Sequence, residues 1–297
     1  MSEFKYTVTK KDVDLTIGQI VKQNFNFSSR LKSKIRQQHL TTLNGSYVHG
    51  YLKPTLGDVI LVNMPKEKSD FLAEDIPIYP VYEDDDLLII NKQAGVIIHP
   101  TKGHPVHTIA NGLMKYMEDT NQTFKIRFVN RLDMDTTGLV IVAKNSNTQN
   151  QLSKQMKYNT ISKEYVAIVN GTLEEDSFTI NLPIGRPDLE QVARSVMEEG
   201  SPSVTHVKVV KRFKKPFTMV RLKLETGRTH QIRVHMSHIG HPVTGDYLYG
   251  GDKPFLIERQ ALHAEKLTFF HPVTEEEIVV TAPIPDDILE CIKKIEG

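Results

Sequence analysis

The sequence predicts an α+β fold: a mixed, mainly antiparallel curved sheet with flanking helices, preceded by a small N-terminal α/β module. Three observations predict it. Short apolar runs rich in β-branched residues recur from Tyr79 onward, as strands do. Helical spacing is confined to a few separate segments, and strand runs with segregated helices favour α+β over alternating βαβ units. Before residue 64 the order changes to helix, helix, turn and strand.

Taken along the chain, Leu15, Ile17, Ile20 and Val21 give a short amphipathic helix, and Leu31, Ile35 and Leu40 a second one, capped by Ser28 or Ser29. Asn44-Gly45 turns the chain into Ser46-Tyr-Val48, and Gly57-Asp58 precedes the strand Val59–Val62. The charged, proline-punctuated stretch from Lys66 to Pro77 reads as a linker. The boundary therefore falls near residue 75, giving units 1–75 and 76–297. Beyond it, Leu87–Ile90, Val96–Ile98, Ile126–Val129, Leu139–Ala143, Tyr165–Val169 and Met219–Leu224 read as strands. Thr108–Met117, Asn147–Met156 and a short piece after Gln231 read as helices.

Composition fits a globular chain: 297 residues, 39% hydrophobic and 25% charged. No apolar run reaches the roughly 20 residues of a membrane span, and Met1-Ser-Glu-Phe-Lys-Tyr6 lacks a signal-peptide core. A cytoplasmic protein without membrane contact is expected. Cys291 is the one cysteine, which excludes an internal disulfide and leaves it a packing role. No coiled-coil seam is visible, so a monomer is expected. Net charge is only +1, yet between Asp14 and Asp58 no acidic residue occurs while Lys22, Arg30, Lys32, Lys34, Arg36 and Lys53 do. That stretch has a positive face.

The chemistry-bearing residues begin with Asp133, in Asn130-Arg-Leu-Asp-Met-Asp-Thr-Thr-Gly138, where a carboxylate flanked by a guanidinium interrupts two strands. A lone loop Asp is ordinarily a turn former. A second segment changes that weighting: Thr226-Gly-Arg-Thr-His-Gln-Ile-Arg-Val-His235 brings two cations that need an anionic partner. With Asn91-Lys-Gln-Ala-Gly95, Lys163-Glu-Tyr165, Gly240-His-Pro-Val-Thr-Gly-Asp246 and Leu262-His-Ala264, these segments stand in an order that resembles the RluA-type pseudouridine synthase family from about Tyr79 to Pro283. The sequence departs from the family's usual pattern at Gln93 for Pro, Asn130 for His, Thr137 for Ser and Val204 for Ala. Asn130 matters most, because it puts in doubt the hydrogen bonding beside the catalytic loop.

The resemblance implies an isomerase that breaks the base–sugar bond of a uridine in structured RNA, turns the uracil and joins its carbon 5 to the sugar, without cofactor or metal. It implies that ionised Asp133 acts as nucleophile or as the base that removes a sugar proton, with Arg233 as its ion-pair partner. Arg228 would hold the loop or the RNA backbone. Tyr165 would stack on the target base, and Lys163, two residues earlier on a strand, shares its face. Arg131 would lie against the RNA and occupy the space of the everted base, whose unstacking costs a few kcal/mol. Asp135 suggests a glycosidase-like carboxylate pair with Asp133, but no family role attaches to it and it reads as a loop former.

His230, His235, His238 and His241 form a tempting zinc cluster, but they fall within the motifs, where no metal is implied. Lys208, Lys211, Arg212, Lys214 and Lys215 surround a turn that is either a solvated hairpin or an extension of an RNA track. Roughly residues 13 to 64 resemble the RNA-binding domain named after ribosomal protein S-four. Arg30, Lys32, Lys34 and Arg36 would then contact phosphates, which position RNA without reading its bases. Ribosomal RNA of the large subunit is the expected partner and transfer RNA the second choice. Two rival readings remain: a nucleoside-cleaving hydrolase and a non-catalytic RNA-binding protein.

Overall fold

The structure, a computed structural model, describes residues 3–101, 103–188, 190–251, 254 and 256–297; Met1 and Ser2 of the opening segment lie outside them. The chain folds around two separate sheets. The first contains β1 (Phe4–Thr7), β2 (Thr41–Leu43), β3 (Ser46–Tyr47) and β4 (Val59–Val62) in the order β1-β4-β2-β3, all antiparallel. Against it pack α1 (Ile17–Asn24) and α2 (Ser29–Gln37), whose Ile17, Ile20, Leu31 and Ile35 meet Ile60 and Val62 in a small core. Ser28 is the cap of α2, accepting the Leu31 N–H at 3.2 Å.

The second sheet is ten-stranded. In chain order its region supplies β5 (Pro80–Glu83), β6 (Leu87–Lys92), α3 (Ile109–Asp119), β7 (Arg127–Phe128), β8 (Thr137–Ala143), α4 (Ser146–Lys157), β9 (Ser162–Asn170) and β10 (Ser177–Asn181). A separate hairpin follows, β11 (Ile184–Gly185) with β12 (Ser195–Val196). Then come β13 (Val204–Arg212), β14 (Phe217–Leu224), α5 (Gln231–His238), β15 (Leu262–Phe270), β16 (Glu277–Thr281) and α6 (Asp286–Glu296). The main path runs β10-β13-β14-β9-β15-β8-β6-β5, with β16 on β15 and β7 on β8. Every pairing is antiparallel except β15 with β8, so the predicted mixed, mainly antiparallel sheet is what forms.

Two local expectations change. Val96–Ile98 is not a strand. Ile97 makes only an isolated bridge to Thr108, and the Ile97 and Ile98 carbonyls accept the Ile109 and Ala110 N–H groups at 2.8 and 3.1 Å. Those donors belong to the first turn of α3, which has no partners of its own for them, so the apolar run is used up capping a helix. The stretch read as a linker is docked rather than free: the Leu72 carbonyl accepts from Asn111 Nδ2, and Ser69 Oγ accepts the Ile126 N–H. Glu67 in the same stretch pairs with both Lys34 and Arg127, and Gln151 of α4 donates to the Asn26 carbonyl. The two bodies are therefore held together by polar contacts. No helix among the described residues is long and apolar enough to cross a membrane.

The register that matters most is at the sheet's centre. β15 lies between β8 and β9, with Ala264 opposite Gly138 on one side and Tyr165 on the other. Gly138 has φ +113°, and a Cβ there would overlap the Ala264 carbonyl and approach its N at 2.7 Å. Gly138→Ala is expected to destabilise the protein by about 2–6 kcal/mol, combining backbone strain with an overpacked contact. A urea-unfolding midpoint equal to that of the unchanged protein would show that β15 does not need this close approach.

Candidate active site

The short row Gly138–Ala264–Tyr165 sets the start of β8 and the middle of β9 on either side of β15, so the loop that precedes β8 comes near what projects from β9. Asp133 lies in the loop just before β8, and Tyr165 is buried on β9. β14 also pairs with β9, placing Leu222 opposite Tyr165, and the chain leaving β14 passes through Thr226-Gly-Arg into α5. Arg233 sits on that helix. Strand order alone thus gathers the three residues that the sequence singles out.

Arg233 is the hub. Its Nε and Nη2 donate to Asp246 Oδ2 and Oδ1 at 2.6 and 2.9 Å, a bidentate pair, while Nη1 donates to Asp133 Oδ2 at 3.1 Å. The side chains are 6% exposed for Arg233, 0% for Asp246 and 25% for Asp133. Separating a buried pair costs about 3–5 kcal/mol, so Arg233 stays with Asp246, and Asp133 is the carboxylate with an open side. Burial works against the Arg233 charge, but Asp246 and Asp133 outweigh it and push the guanidinium further above its usual range. The Tyr249 ring lies 5.0 Å from the guanidinium carbon, adding a cation–π contact.

Tyr249 also reaches His230. Its hydroxyl accepts the Arg194 N–H at 2.8 Å and contacts His230 Nδ1 at 2.7 Å. With the hydroxyl accepting from Arg194, its own proton is available for Nδ1, and the other ring nitrogen, Nε2, lies 3.9 Å from Asp133 Oδ1. His230 itself has a left-handed backbone, φ 59°, at the start of α5. Burial lowers its pKa below the ordinary 6.5, Asp133 opposing and Arg233 reinforcing the shift. Tyr165 is shifted the other way: burial, then the Asp133 charge, raise its phenol well above the usual range. It therefore stays protonated at neutral pH.

The loop carrying Asp133 is anchored from below. Lys92, fully buried at the end of β6, donates to the carbonyls of Gln93, Val96 and Met134 at 2.8, 2.9 and 2.7 Å. Burial pushes its ammonium down to about 7, with Asp135 and then Asp133 pulling against that. Three carbonyl acceptors match the three N–H bonds of an ammonium, so the charged form is the one this nest holds. Asn130 pins the loop's other end: its Nδ2 donates to the Leu139 carbonyl at 3.0 Å and its Oδ1 accepts the Ile141 N–H at 2.8 Å. Asn in place of the usual His thus extends the pairing of β7 with β8 through a side chain. The Asp135 carbonyl accepts from Arg259, consistent with a loop former.

Arg131, Lys163, Arg228, Asp133 and Tyr165 all line one cavity of about 290 Å³ beside the Thr226-Gly-Arg turn. A smaller neighbouring space of about 60 Å³ adds Arg233 and His230 to Asp133 and Tyr165. Lys163 is buried and its pKa is lowered by that burial, with no ion-pair partner among the described residues. Lys92, His230 and Asp246 stand inside the sequence motifs, yet the motifs alone gave them no part in the site, and Tyr249 lies outside every motif. An Asp directly after a turn glycine, in a segment following two guanidinium groups, was the available signal for Asp246.

Known proteins resemble this chain. The family described as RNA pseudouridylate synthase matches residues 86–238. The chain is 42% identical over 257 residues to the uncharacterized RNA pseudouridine synthase YlyB of Bacillus subtilis (strain 168), covering 85% of this chain and 84% of that protein. The chain belongs to the RNA pseudouridine synthase family. It is also 39% identical to ribosomal large subunit pseudouridine synthase D of Vibrio vulnificus (strain CMCP6), over 99% of this chain and 95% of the other. Among solved structures, human RNA pseudouridylate synthase domain containing 1 superimposes with a TM-score of 0.60 at 30% identity, over 72% of this chain and 87% of that one.

The remaining candidate residues lie elsewhere in this synthase. His235 bonds Thr205 and the Leu182 carbonyl, and His241 the Asn170 carbonyl, so with His230 they face different partners instead of one point. In the second basic patch Lys211 pairs with Glu296, Lys215 donates to the Lys294 carbonyl and Arg212 pairs with Asp176. These three cations are committed to the protein's own surface. On α2, Arg30 and Lys34 share one side and Lys32 and Arg36 the other, as i,i+4 spacing requires, and Lys34 is held by Glu67 at 2.9 Å. Cys291 is buried among Ile288 and Ile295.

Two outcomes are expected. Asp246→Asn leaves Arg233 with a single charged partner and should cost about 3–5 kcal/mol of stability; an unchanged thermal unfolding curve would rule out the bidentate pair as the anchor. The His230 pKa is lower folded than unfolded, so below 6.5 the unfolded chain takes up a proton that the folded chain refuses. His230 thus favours folding fully above pH 6.5 and progressively less below it. His230→Gln should lose less stability than the unchanged protein between about pH 7.5 and about pH 5.5, a window that brackets the ordinary histidine range, read by urea melts at both pH values.

Proposed function

We propose that this synthase converts a uridine of large-subunit ribosomal RNA to pseudouridine, using Asp133 as the reacting carboxylate. The ion pair between Asp133 and Arg233, in the same cavity as Tyr165, carries the proposal. An ionised carboxylate with one open side can attack the sugar or remove a sugar proton, and both routes start from the same charged oxygen. In either, the bond from uracil N1 to the sugar breaks, the bond from carbon 5 forms, and the proton on carbon 5 is released. Tyr165, kept as a phenol, offers its ring to the everted base and a hydroxyl proton to donate. Lys163, Arg131 and Arg228 line the approach as cations suited to phosphates or to the gap left by the base.

The name of the Vibrio vulnificus relative supports the ribosomal target, and full-length coverage supports a shared organisation. We further propose that residues 1–75 serve as an accessory RNA-binding domain of the S-four type and residues 76–297 as the catalytic domain. The separate four-stranded sheet and separate core support that division.

RNA carrying uridine tritiated at carbon 5 tests the reading. The unchanged protein should release tritium without free uracil, and Asp133→Asn should release none while keeping RNA affinity. Free uracil would make the protein a hydrolase; no tritium and no uracil from ribosomal RNA, with binding retained, would reduce it to a binding protein.

A further inference from the structure

A cavity of about 630 Å³ lies in the N-terminal body, away from the site above, and no acidic side chain is among the residues that line it. Its floor is apolar, from Ile17, Val21, Ile35 and Val48, and its rim carries Lys32 and Arg36 from α2. The opposite rim is aromatic. His39, Tyr47, His49 and Tyr51 form a continuous series of rings with centroid separations of 4.5, 5.2 and 5.2 Å, the last pair stacked at 10°.

This rim is built rather than incidental. Tyr47 ends β3, and the chain then enters a turn in which the Leu52 N–H donates to the His49 carbonyl at 3.1 Å, which brings the rings of residues 47, 49 and 51 into contact. The segment is fixed on α1, whose first-turn Ile17 and Gly18 N–H groups donate to the Leu52 and Gly50 carbonyls at 2.8 Å each. Those donors have no partner inside the helix, so the helix end and the loop complete each other. Gly18 allows the contact, since a Cβ there would stand 3.1 Å from the Gly50 oxygen. Tyr51 nevertheless remains 72% exposed and Tyr47 44%. Neither Lys32 nor Arg36 has an ion-pair partner among the described residues, in contrast to Lys34.

We propose that this cavity binds an unpaired nucleotide of the RNA substrate, distinct from the target uridine, with the base stacked on the Tyr47–His49–Tyr51 rim and its phosphates on Lys32 and Arg36. The inference deepens the RNA-modifying reading above and rests on RNA being the substrate. Phosphate contacts alone would need only the cations. An apolar floor beside exposed rings is of use to a base that has left its stack, because every base presents a π-face. The charge pattern excludes an acidic pocket for basic peptides, and the aromatic rim goes unused by a paired duplex, whose bases are not splayed out.

Fluorescence anisotropy with the full-length protein tests this, using a fluorescein-labelled single-stranded RNA of mixed sequence and the blunt duplex of the same sequence. Tyr47→Ala/Tyr51→Ala should weaken single-strand binding by about 5- to 150-fold, the range of one aromatic–base stack, with little change for the duplex. Lys32→Ala/Arg36→Ala should lower the slope of log affinity against log salt by about 1.4 for the single strand, as expected for two lost phosphate contacts. The proposal is overturned if the aromatic variant binds the single strand as the unchanged protein does, or loses duplex binding equally. Circular dichroism checks folding; should the double variant not fold, Tyr51→Ala, at the most exposed ring, gives the same comparison and Tyr51→Phe should restore binding. A protein that shows this preference but releases no tritium would refute the isomerase reading and leave the cavity assignment standing.

Discussion

One guanidinium shared between two carboxylates governs the catalytic region. Arg233 binds Asp246 through two bonds in a fully buried setting and Asp133 through one at the edge of a cavity. Buried ion pairs contribute little to stability relative to well-packed apolar groups of the same size, so their retention here points to geometry: the strong pair fixes the direction in which the remaining N–H faces. Tyr249 beneath the guanidinium and the turn before α5 keep that direction constant. Asp133 is thereby oriented by a cation that is itself not free to move.

Burial sets the electrostatics of the groups around this hub. Tyr165 is held as a phenol by burial and by Asp133, and His230 is kept neutral chiefly by burial. Lys92 lies under the loop with its donors saturated by carbonyls. Of the two carboxylates on Arg233, Asp133 is the one that reaches the cavity.

The sheet and the residues proposed for catalysis were readable because they depend on local pattern. Strands such as Leu139–Ala143 and Met219–Leu224 announce themselves by β-branched apolar runs, and Asp133, Tyr165 and Arg233 stand in compact motifs. What was not readable depends on pairing across distance. Val96–Ile98 has strand-like residues, yet its carbonyls are taken by the first turn of α3. Nothing local shows that Lys92 will meet the Met134 carbonyl or that Asp246 will hold Arg233. On α2 the four cations look alike in sequence, and only the packing of Leu31 and Ile35 turns Lys34 toward Glu67 and sets Lys32 and Arg36 on a cavity rim. The Asp286–Glu296 helix was legible but missed: Ile288, Cys291, Ile292 and Ile295 recur at helical spacing behind Asp286 and Asp287.

The position of β15 has a consequence for the order of events during synthesis. Asp133, Tyr165 and Arg233 are all complete once residue 233 is made, but β8 and β9 flank β15 and do not touch each other in the main sheet. Without Leu262–Phe270 those two strands would lack a common neighbour, and at about 4.8 Å per strand step they would be some 10 Å apart with nothing to set the spacing. A ribosome translating this message therefore makes Asp133, Tyr165 and Arg233 well before the strand that fixes their spacing emerges.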